Sequence, residues 1–155
     1  MKKLYPLLFI SVLIFCGCLD PLNIFDFNDE ETVEDETGSS VNLWGVDYSI
    51  ENTTVLNLSN SGLTGSIRPK IGNLINLTVL FLSHNQLTGS IPSEISNLIN
   101  LNELHIYDNQ LTGIIPDEIC NQGDSSPGLS NNQLCPPYPS CIEDYVGEQD
   151  TSGCD

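Results

Sequence analysis

Two consecutive stretches of the sequence repeat each other: LNLSNSGLTGSIRPKIGNLINLTV at residues 56–79 and LFLSHNQLTGSIPSEISNLINLNE at residues 80–103. A third copy, LHIYDNQLTGIIPDEICNQ, continues the register from Leu104. A shorter copy, LSNNQL, spans residues 129–134 and stands one residue short of the register. No single unit of this length can bury its own apolar side chains, so the period predicts units that stack and share one core.

Each unit carries an L-x-L pattern that predicts a short strand. Leu80 and Leu82 should point into the core and Phe81 outward, because side chains alternate across a strand. Three later isoleucines in the units should close the core from the opposite side: Ile71, Ile95 and Ile119. Three asparagines recur where a buried amide could satisfy backbone groups of the neighbouring turns: Asn85, Asn109 and Asn132.

These residues resemble the leucine-rich repeat family, in its plant-type 24-residue class with the pattern LxxLxLxxNxLxGxIPxxIxxLxx. Residues 77–100 match that pattern almost throughout. The outer units depart from it at Ser61 and Arg68 and at Asp124 and Pro127, which we interpret as capping. The resemblance implies an α/β-type solenoid, short and right-handed, with a concave parallel β-sheet, an irregular or 3-10 convex side, and a binding role.

The chain divides into three predicted regions. Residues 1–18 have a basic start, a short apolar run and small residues at the end, which is typical of an export signal. Residues 19–40 form an acidic tether, whose charge density predicts a solvated segment. Residues 41–155 form the repeat domain, with an N-terminal cap at 41–55, three repeats at 56–119, and a degraded repeat with a Cys-containing cap at 120–155.

The end of the export signal, IFCGC, resembles a bacterial lipobox and makes Cys18 the candidate for lipid attachment. The mature protein would then be a cell-surface or outer-membrane lipoprotein, held at the membrane by its anchor. The alternative is ordinary signal cleavage followed by free secretion. In both cases the chain leaves the cytosol.

Charge and cysteine content narrow the function. The chain has 21 Asp and Glu against 4 Lys and Arg, a net charge of -17, which argues against binding a nucleic-acid phosphate backbone.

Four cysteines near the end predict two disulfides, with three pairings open. A zinc site is disfavoured because no C-x2-C pair occurs, and no metal or cofactor is expected. The four cysteines are Cys120, Cys135, Cys141 and Cys154.

Residues 24 apart should form columns on the strand face, and these hold the candidate site. The columns are Asn57, Phe81 and His105; Ser59, Ser83 and Tyr107; Asn60, His84 and Asp108; and Val55, Val79 and Glu103. Exposed aromatic and amide groups on a rigid face predict recognition of a protein or peptide, or of a glycan. The expected contact residues are Asn57, Phe81, His84, Glu103, His105, Tyr107 and Asp108.

Two other functions are alternatives for this face. A plain solvated surface would make the protein a structural spacer. A secreted enzyme inhibitor, resembling the plant wall-protein inhibitors of this repeat class, is a further alternative. Enzyme activity is not expected, because His84 and Asp108 beside two serines on an open sheet would lack an oxyanion hole and an enclosed pocket.

Overall fold

The computed structural model describes residues 39–124 and 126–154. The predicted export signal with Cys18, and the tether up to residue 38, lie outside the described residues. The described residues form nine strands: β1 Ser40–Leu43, β2 Val46–Ser49, β3 Val55–Asn57, β4 Thr64–Ser66, β5 Val79–Phe81, β6 Gln86–Gly89, β7 Glu103–His105, β8 Gln110–Ile114 and β9 Gln133–Cys135. The same part of the chain contains four 3-10 helices, at Pro69–Asn73, Ser93–Asn97, Asp117–Asn121 and Glu143–Tyr145. None of the helices in the described part of the chain is long and apolar enough to cross a membrane.

The first sheet is parallel, in the order β3, β5, β7. Leu56, Leu80 and Leu104 lie side by side in it and are buried, as the L-x-L pattern predicts. The ladder continues beyond the strands, since the amide of His84 donates to the Tyr107 carbonyl at 3.1 Å. The next inward residues, Leu82 and Ile106, are fully buried. Their equivalent in the first coil, Leu58, is only half-buried and packs against the core.

The opposite side carries the predicted 3-10 helices. The first three begin after Arg68, Pro92 and Pro116, each in an extended conformation that directs the chain into the turn. Each helix buries one isoleucine of the repeat, so that the three stack across the core. These residues are Ile71, Ile95 and Ile119, with exposures of 0–1%. Burying such a side chain stabilises the fold by about 1.5–3 kcal/mol.

A second parallel sheet, β4-β6-β8-β9, was not predicted. Three of its strands overlap the LTG segments, and β9 is the QLC segment at residues 133–135. Leu87, Leu111 and Leu134 of this sheet are buried. The flanking Thr and Gln side chains are exposed. The alternation of polar and apolar residues is a strand pattern, but it is only three residues long and ends at a glycine.

The predicted asparagine ladder is confirmed, and it has an additional member. Asn109 is typical: its Oδ1 accepts from the Leu87 amide at 3.0 Å, and its Nδ2 donates to the carbonyls of Leu82 and Ile106, both at 3.0 Å. At the C-terminal end Gln149 makes equivalent hydrogen bonds: its Oε1 accepts from the Leu134 amide, and its Nε2 donates to the Leu129 carbonyl.

Both ends of the core are capped. At the N-terminal end β1 and β2 form an antiparallel hairpin, and Trp44 and Tyr48 pack against the core. At the C-terminal end two disulfides form, selecting one of the three open pairings: Cys120 with Cys141 and Cys135 with Cys154. Asp124 stands where a leucine was expected, and its Oδ2 accepts from the Leu104 amide of β7 at 2.8 Å.

Candidate functional site

The outward face of the first sheet presents two aromatic rings in register. Phe81 on β5 pairs with His105 on β7. Their rings are parallel to within 6° and their centroids lie 4.4 Å apart. Stacking follows from the fold, because parallel strands hold equivalent side chains about 4.8 Å apart. Both side chains are half-buried, so their outer edges stay accessible.

Two further rings extend this pair beyond the ends of the strands. The ring centroid of Tyr107 lies 5.7 Å from that of His105. It lies 5.1 Å from the ring centroid of His84, and these two rings meet edge-on with an angle of 87° between their planes. Such edge-to-face contacts are favoured by the ring quadrupoles. Phe81, His84, His105 and Tyr107 thus form a continuous aromatic cluster across the second and third repeats.

A polar row borders the aromatic cluster. Asp108 joins two neighbouring coils: its Oδ2 lies 3.0 Å from His84 Nδ1, and its Oδ1 accepts from Asn131 Nδ2 at 2.6 Å. These three residues and Asn60 all have φ between 54° and 56°. That left-handed region favours Asn, Asp and His among residues with a side chain, which explains why polar groups recur there. The polar row is His84, Asp108 and Asn131.

The structure brings five of the seven predicted contact residues together: Phe81, His84, His105, Tyr107 and Asp108. The other two lie on the same face but outside the aromatic cluster. Asn57 stands in register with Phe81 on the first strand, and its Oδ1 accepts from the Ser59 amide at 3.2 Å. Glu103 is exposed at the start of β7, two residues before His105.

Ser83 was predicted as an outward position in the same column as Ser59 and Tyr107, and it is buried instead of exposed. Ser83 is only 3% exposed, and its Oγ lies 2.9 Å from the Oγ of Ser59. A small hydroxyl fits between the equivalent residues of the adjoining coils. The two serine hydroxyls bond each other, while the His84 ring bonds Asp108.

Two residues of the shortened fourth unit also shape the site. Gly128 pairs with His105 as an isolated bridge. A Cβ at Gly128 would stand 3.0 Å from Tyr107 Cδ1 and 3.2 Å from His105 Cδ2, so glycine leaves room for both rings. Asn131 completes the polar row. The signal that could have found them is the LSNNQL copy, once its one-residue deletion is aligned.

An open groove of about 370 Å³ lies beyond the polar row. The C-terminal cap forms one wall, since the Asn131 amide donates to the Glu148 carbonyl at 2.7 Å. The Asp150 carboxylate bonds Ser152, which holds the pKa of Asp150 below its usual range. The lining residues are Asn109, Asn131, Asn132, Gln133, Glu148, Gln149 and Asp150.

The charges and donor groups of the face limit its chemistry. Within the described ranges, Arg68 and Lys70 are the basic side chains, and both lie at the first 3-10 helix. No Lys or Arg follows Lys70 in the sequence. Among residues 39–124 and 126–154, no group of three or more His, Cys, Asp and Glu side chains is arranged to hold a metal ion.

Comparison with solved structures finds plant receptors. The chain is similar to PEPR1 in the PEPR1–AtPEP1 structure, with 36% identity and a TM-score of 0.55 over 57% of this chain and 12% of that one. It is similar to the Arabidopsis receptor kinase HAESA, solved with the peptide hormone IDA and the co-receptor SERK1, at 31% identity and a TM-score of 0.54 over 61% and 16%.

A third similar structure is the ectodomain of GASSHO1/SCHENGEN3 from Arabidopsis thaliana, solved with CASPARIAN STRIP INTEGRITY FACTOR 2. It shares 35% identity at a TM-score of 0.51, over 52% of this chain and 10% of that one. The chain therefore spans only a small part of the length of these three receptors. No curated protein matches the chain.

Sequence-family models agree with the structural repeats. Residues 75–119 match the model described as leucine-rich repeats in two copies, and residues 52–74 match the model of a single leucine-rich repeat. The matched segments include β3, β5 and β7, the first two 3-10 helices and the start of the third. On these matches and on the repeat architecture, residues 52–119 belong to the leucine-rich repeat family.

Proposed function

We propose that this protein is a non-enzymatic interaction module that binds a protein or peptide through the outward face of its first sheet. The observation that carries the proposal is the aromatic cluster, four adjoining rings that stay partly accessible on a folded surface. Binding would occur by surface complementarity, without making or breaking covalent bonds.

The rigidity of the face supports this role. Backbone hydrogen bonds continue past the strands, from the Leu82 amide to the His105 carbonyl at 2.7 Å and from the Asp108 amide to the Ser130 carbonyl at 3.0 Å. The buried asparagines fix the turns that follow. A preorganised surface loses little conformational freedom on binding, so more of the contact energy becomes affinity.

The composition of the face also supports it. Tyrosine and other aromatic side chains offer a large apolar area together with a polar tip, and they are enriched among residues that dominate binding energy. Tyr107 supplies a hydroxyl, and Asp108 and Asn131 supply polar groups at the border. A face that contacts only solvent would gain nothing from stacked rings, because each ring exposes apolar area to water.

The size of the face favours a short linear segment as the partner. Three strands about 4.8 Å apart give a small surface. Its area is below the ~800 Å² that each partner contributes to a standard interface. Of the three similar receptors, HAESA is solved with the peptide hormone IDA and a co-receptor, and GASSHO1/SCHENGEN3 with CASPARIAN STRIP INTEGRITY FACTOR 2. The contact proposed for this chain is therefore modest, and anchoring at a membrane could raise its effective strength.

We place the protein outside the cytosol, where its two disulfides would persist. Lipid attachment at Cys18 is the proposed anchor. Metabolic labelling with a fatty acid should mark the wild-type protein and leave Cys18→Ser unlabelled. Equal labelling of both forms, or labelling of neither, would remove the anchor from the proposal and leave free secretion.

The binding role is tested by affinity capture with the full chain, followed by mass spectrometry. Phe81→Ser/Tyr107→Ser should lose the partner that the wild type captures, with a Kd raised at least about tenfold. The matched control is Ile75→Ser/Ile99→Ser, since Ile75 and Ile99 are 51% and 68% exposed but lie outside the first sheet. Equal capture by all three proteins would favour a spacer. A target enzyme slowed in solution would identify an inhibitor, and capture of a glycan would change the ligand class.

A further inference from the structure

We infer that the segment recognised by the first-sheet face is basic, with Lys or Arg side chains that contact the aromatic cluster and the acidic residues at its two ends. This inference rests on the proposed function and specifies its partner. It is carried by the charge distribution around the aromatic cluster, which the repeat pattern does not require.

The face is bordered by negative charge at both ends. Glu103 is exposed at the start of β7, on the same outward side as His105. On the far side the polar row carries Asp108, and beyond it Glu148 is exposed on the wall of the groove. These three carboxylates flank the rings from the beginning of the strands to the C-terminal cap.

The positive side chains of the described residues lie elsewhere. Arg68 and Lys70 belong to the first 3-10 helix, on the side of the core away from the first sheet. No Lys or Arg follows Lys70 in the sequence, so the second, third and fourth repeats contribute only acidic formal charges, apart from the histidines. An acidic partner would be repelled from this face, whereas a basic segment would be attracted.

The aromatic cluster has a direct use for such a segment. A guanidinium or ammonium group is attracted to the face of an aromatic ring, at about 0.5–1 kcal/mol for an exposed contact. The aliphatic stem of Lys or Arg can cover the ring edges while its charged end reaches a carboxylate. Phe81, His105 and Tyr107 therefore offer apolar contact between Glu103 and Asp108.

The groove continues this surface without a break. Asp108 bonds Asn131, and Asn131 lines the groove together with Glu148 and Asp150. An exposed aspartate is ionised at neutral pH, and the bonds from Ser152 lower the pKa of Asp150 further. A bound segment that crosses the rings would run into a second negative area, where a further basic side chain can lie.

The test uses a random peptide library displayed on phage, selected against the full chain. Peptides rich in Lys and Arg should be enriched, and the most enriched peptide should lose affinity as NaCl is raised. Glu103→Gln/Glu148→Gln should weaken that peptide about fivefold, because two exposed charges are removed from the ends of the face. The control is Glu94→Gln/Glu118→Gln, which changes net charge equally at exposed positions on the 3-10 helices; it should change affinity less than about twofold.

The outcomes separate this inference from the proposed function. If neutral or acidic peptides are enriched and Phe81→Ser/Tyr107→Ser removes their binding, the basic partner is wrong while the binding face stands. If both Glu pairs weaken the peptide equally, the attraction belongs to the whole acidic chain and the inference fails. If no enriched peptide depends on Phe81 and Tyr107, the inference and the proposed function fail together.

Discussion

The carboxylate of Asp108 bridges two coils, with Oδ2 3.0 Å from His84 Nδ1 and Oδ1 2.6 Å from Asn131 Nδ2. It sets the orientation of His84, whose ring in turn meets Tyr107 edge-on. The arrangement of the aromatic cluster is therefore coupled to the polar row. The side chains of His84 and Asp108 are 46% and 33% exposed, so solvent screens their interaction.

A double-mutant cycle measures this coupling. His84→Ala, Asp108→Ala and the double variant should give a pairwise coupling below about 1 kcal/mol in urea unfolding, because exposed ion pairs contribute little. The two residues would then serve the shape of the face more than the stability of the fold. A coupling above about 2 kcal/mol would show that the pair is a structural element of the repeat.

The asparagine ladder should contribute much more. Asn109 is 9% exposed, and Asn109→Ala removes the partner of the Leu87 amide. The carbonyls of Leu82 and Ile106 each lose one amide donor and keep a bond from a neighbouring asparagine of the ladder. Leaving a buried amide unsatisfied costs about 1–3 kcal/mol, so we expect a loss of about 2 kcal/mol in the free energy of unfolding.

The matched control for that change is Asn100→Ala. Asn100 is exposed, and its Nδ2 donates to the Ile75 carbonyl at 3.0 Å. Its loss should stay below about 1 kcal/mol, since water can replace the bond. Equal losses for Asn109 and Asn100 would mean that the ladder has no special role.

Close stacking of the 3-10 helices predicts a steric effect at Gly72. A Cβ at Gly72 would overlap the backbone carbonyl of Glu94 in the next coil. Gly72→Ala should therefore destabilise the protein by about 1–3 kcal/mol. Gly153→Ala, where a Cβ meets nothing within 4 Å, is the control and should be nearly neutral. A neutral Gly72→Ala would indicate looser coils than the structure shows.

The disulfide pairing can be checked chemically. Digestion without reduction should yield peptides that join Cys120 to Cys141 and Cys135 to Cys154, which close sequence separations of 21 and 19 residues. Replacing either pair with serine should lower the free energy of unfolding by about 2–4 kcal/mol. Peptides that join Cys120 to Cys135, or Cys120 to Cys154, would contradict the described cap.

Much of the fold could be predicted because residues 24 positions apart occupy equivalent places in successive coils. Once L-x-L at Leu80 and Leu82 defines one strand, the 24-residue step places Leu56 and Leu104 beside it, and the same step placed Asn109. Phe81, His105 and Tyr107 reached the same face for that reason. The repeat period determines which residues of adjoining coils lie side by side, and the candidate site consists of such residues.

The rest depended on contacts that the period does not encode. The second sheet forms only when strands of three to five residues align across coils. Gln149 joins the asparagine ladder from a cap with no repeat, and the disulfide pairing depends on how that cap folds back. Ser83 is buried between adjoining coils, where its Oγ lies 2.9 Å from the Oγ of Ser59.

The central claim is that the outward face of the first sheet is the binding surface. The most direct measurement is an NMR titration of the isotope-labelled protein with the peptide most enriched in the phage selection. We expect the largest amide and side-chain shifts at Phe81, His84, His105, Tyr107 and Asp108, with little change at Thr64, Thr88 and Thr112 on the second sheet. Shifts concentrated on those threonines, or on the 3-10 helices, would contradict the account.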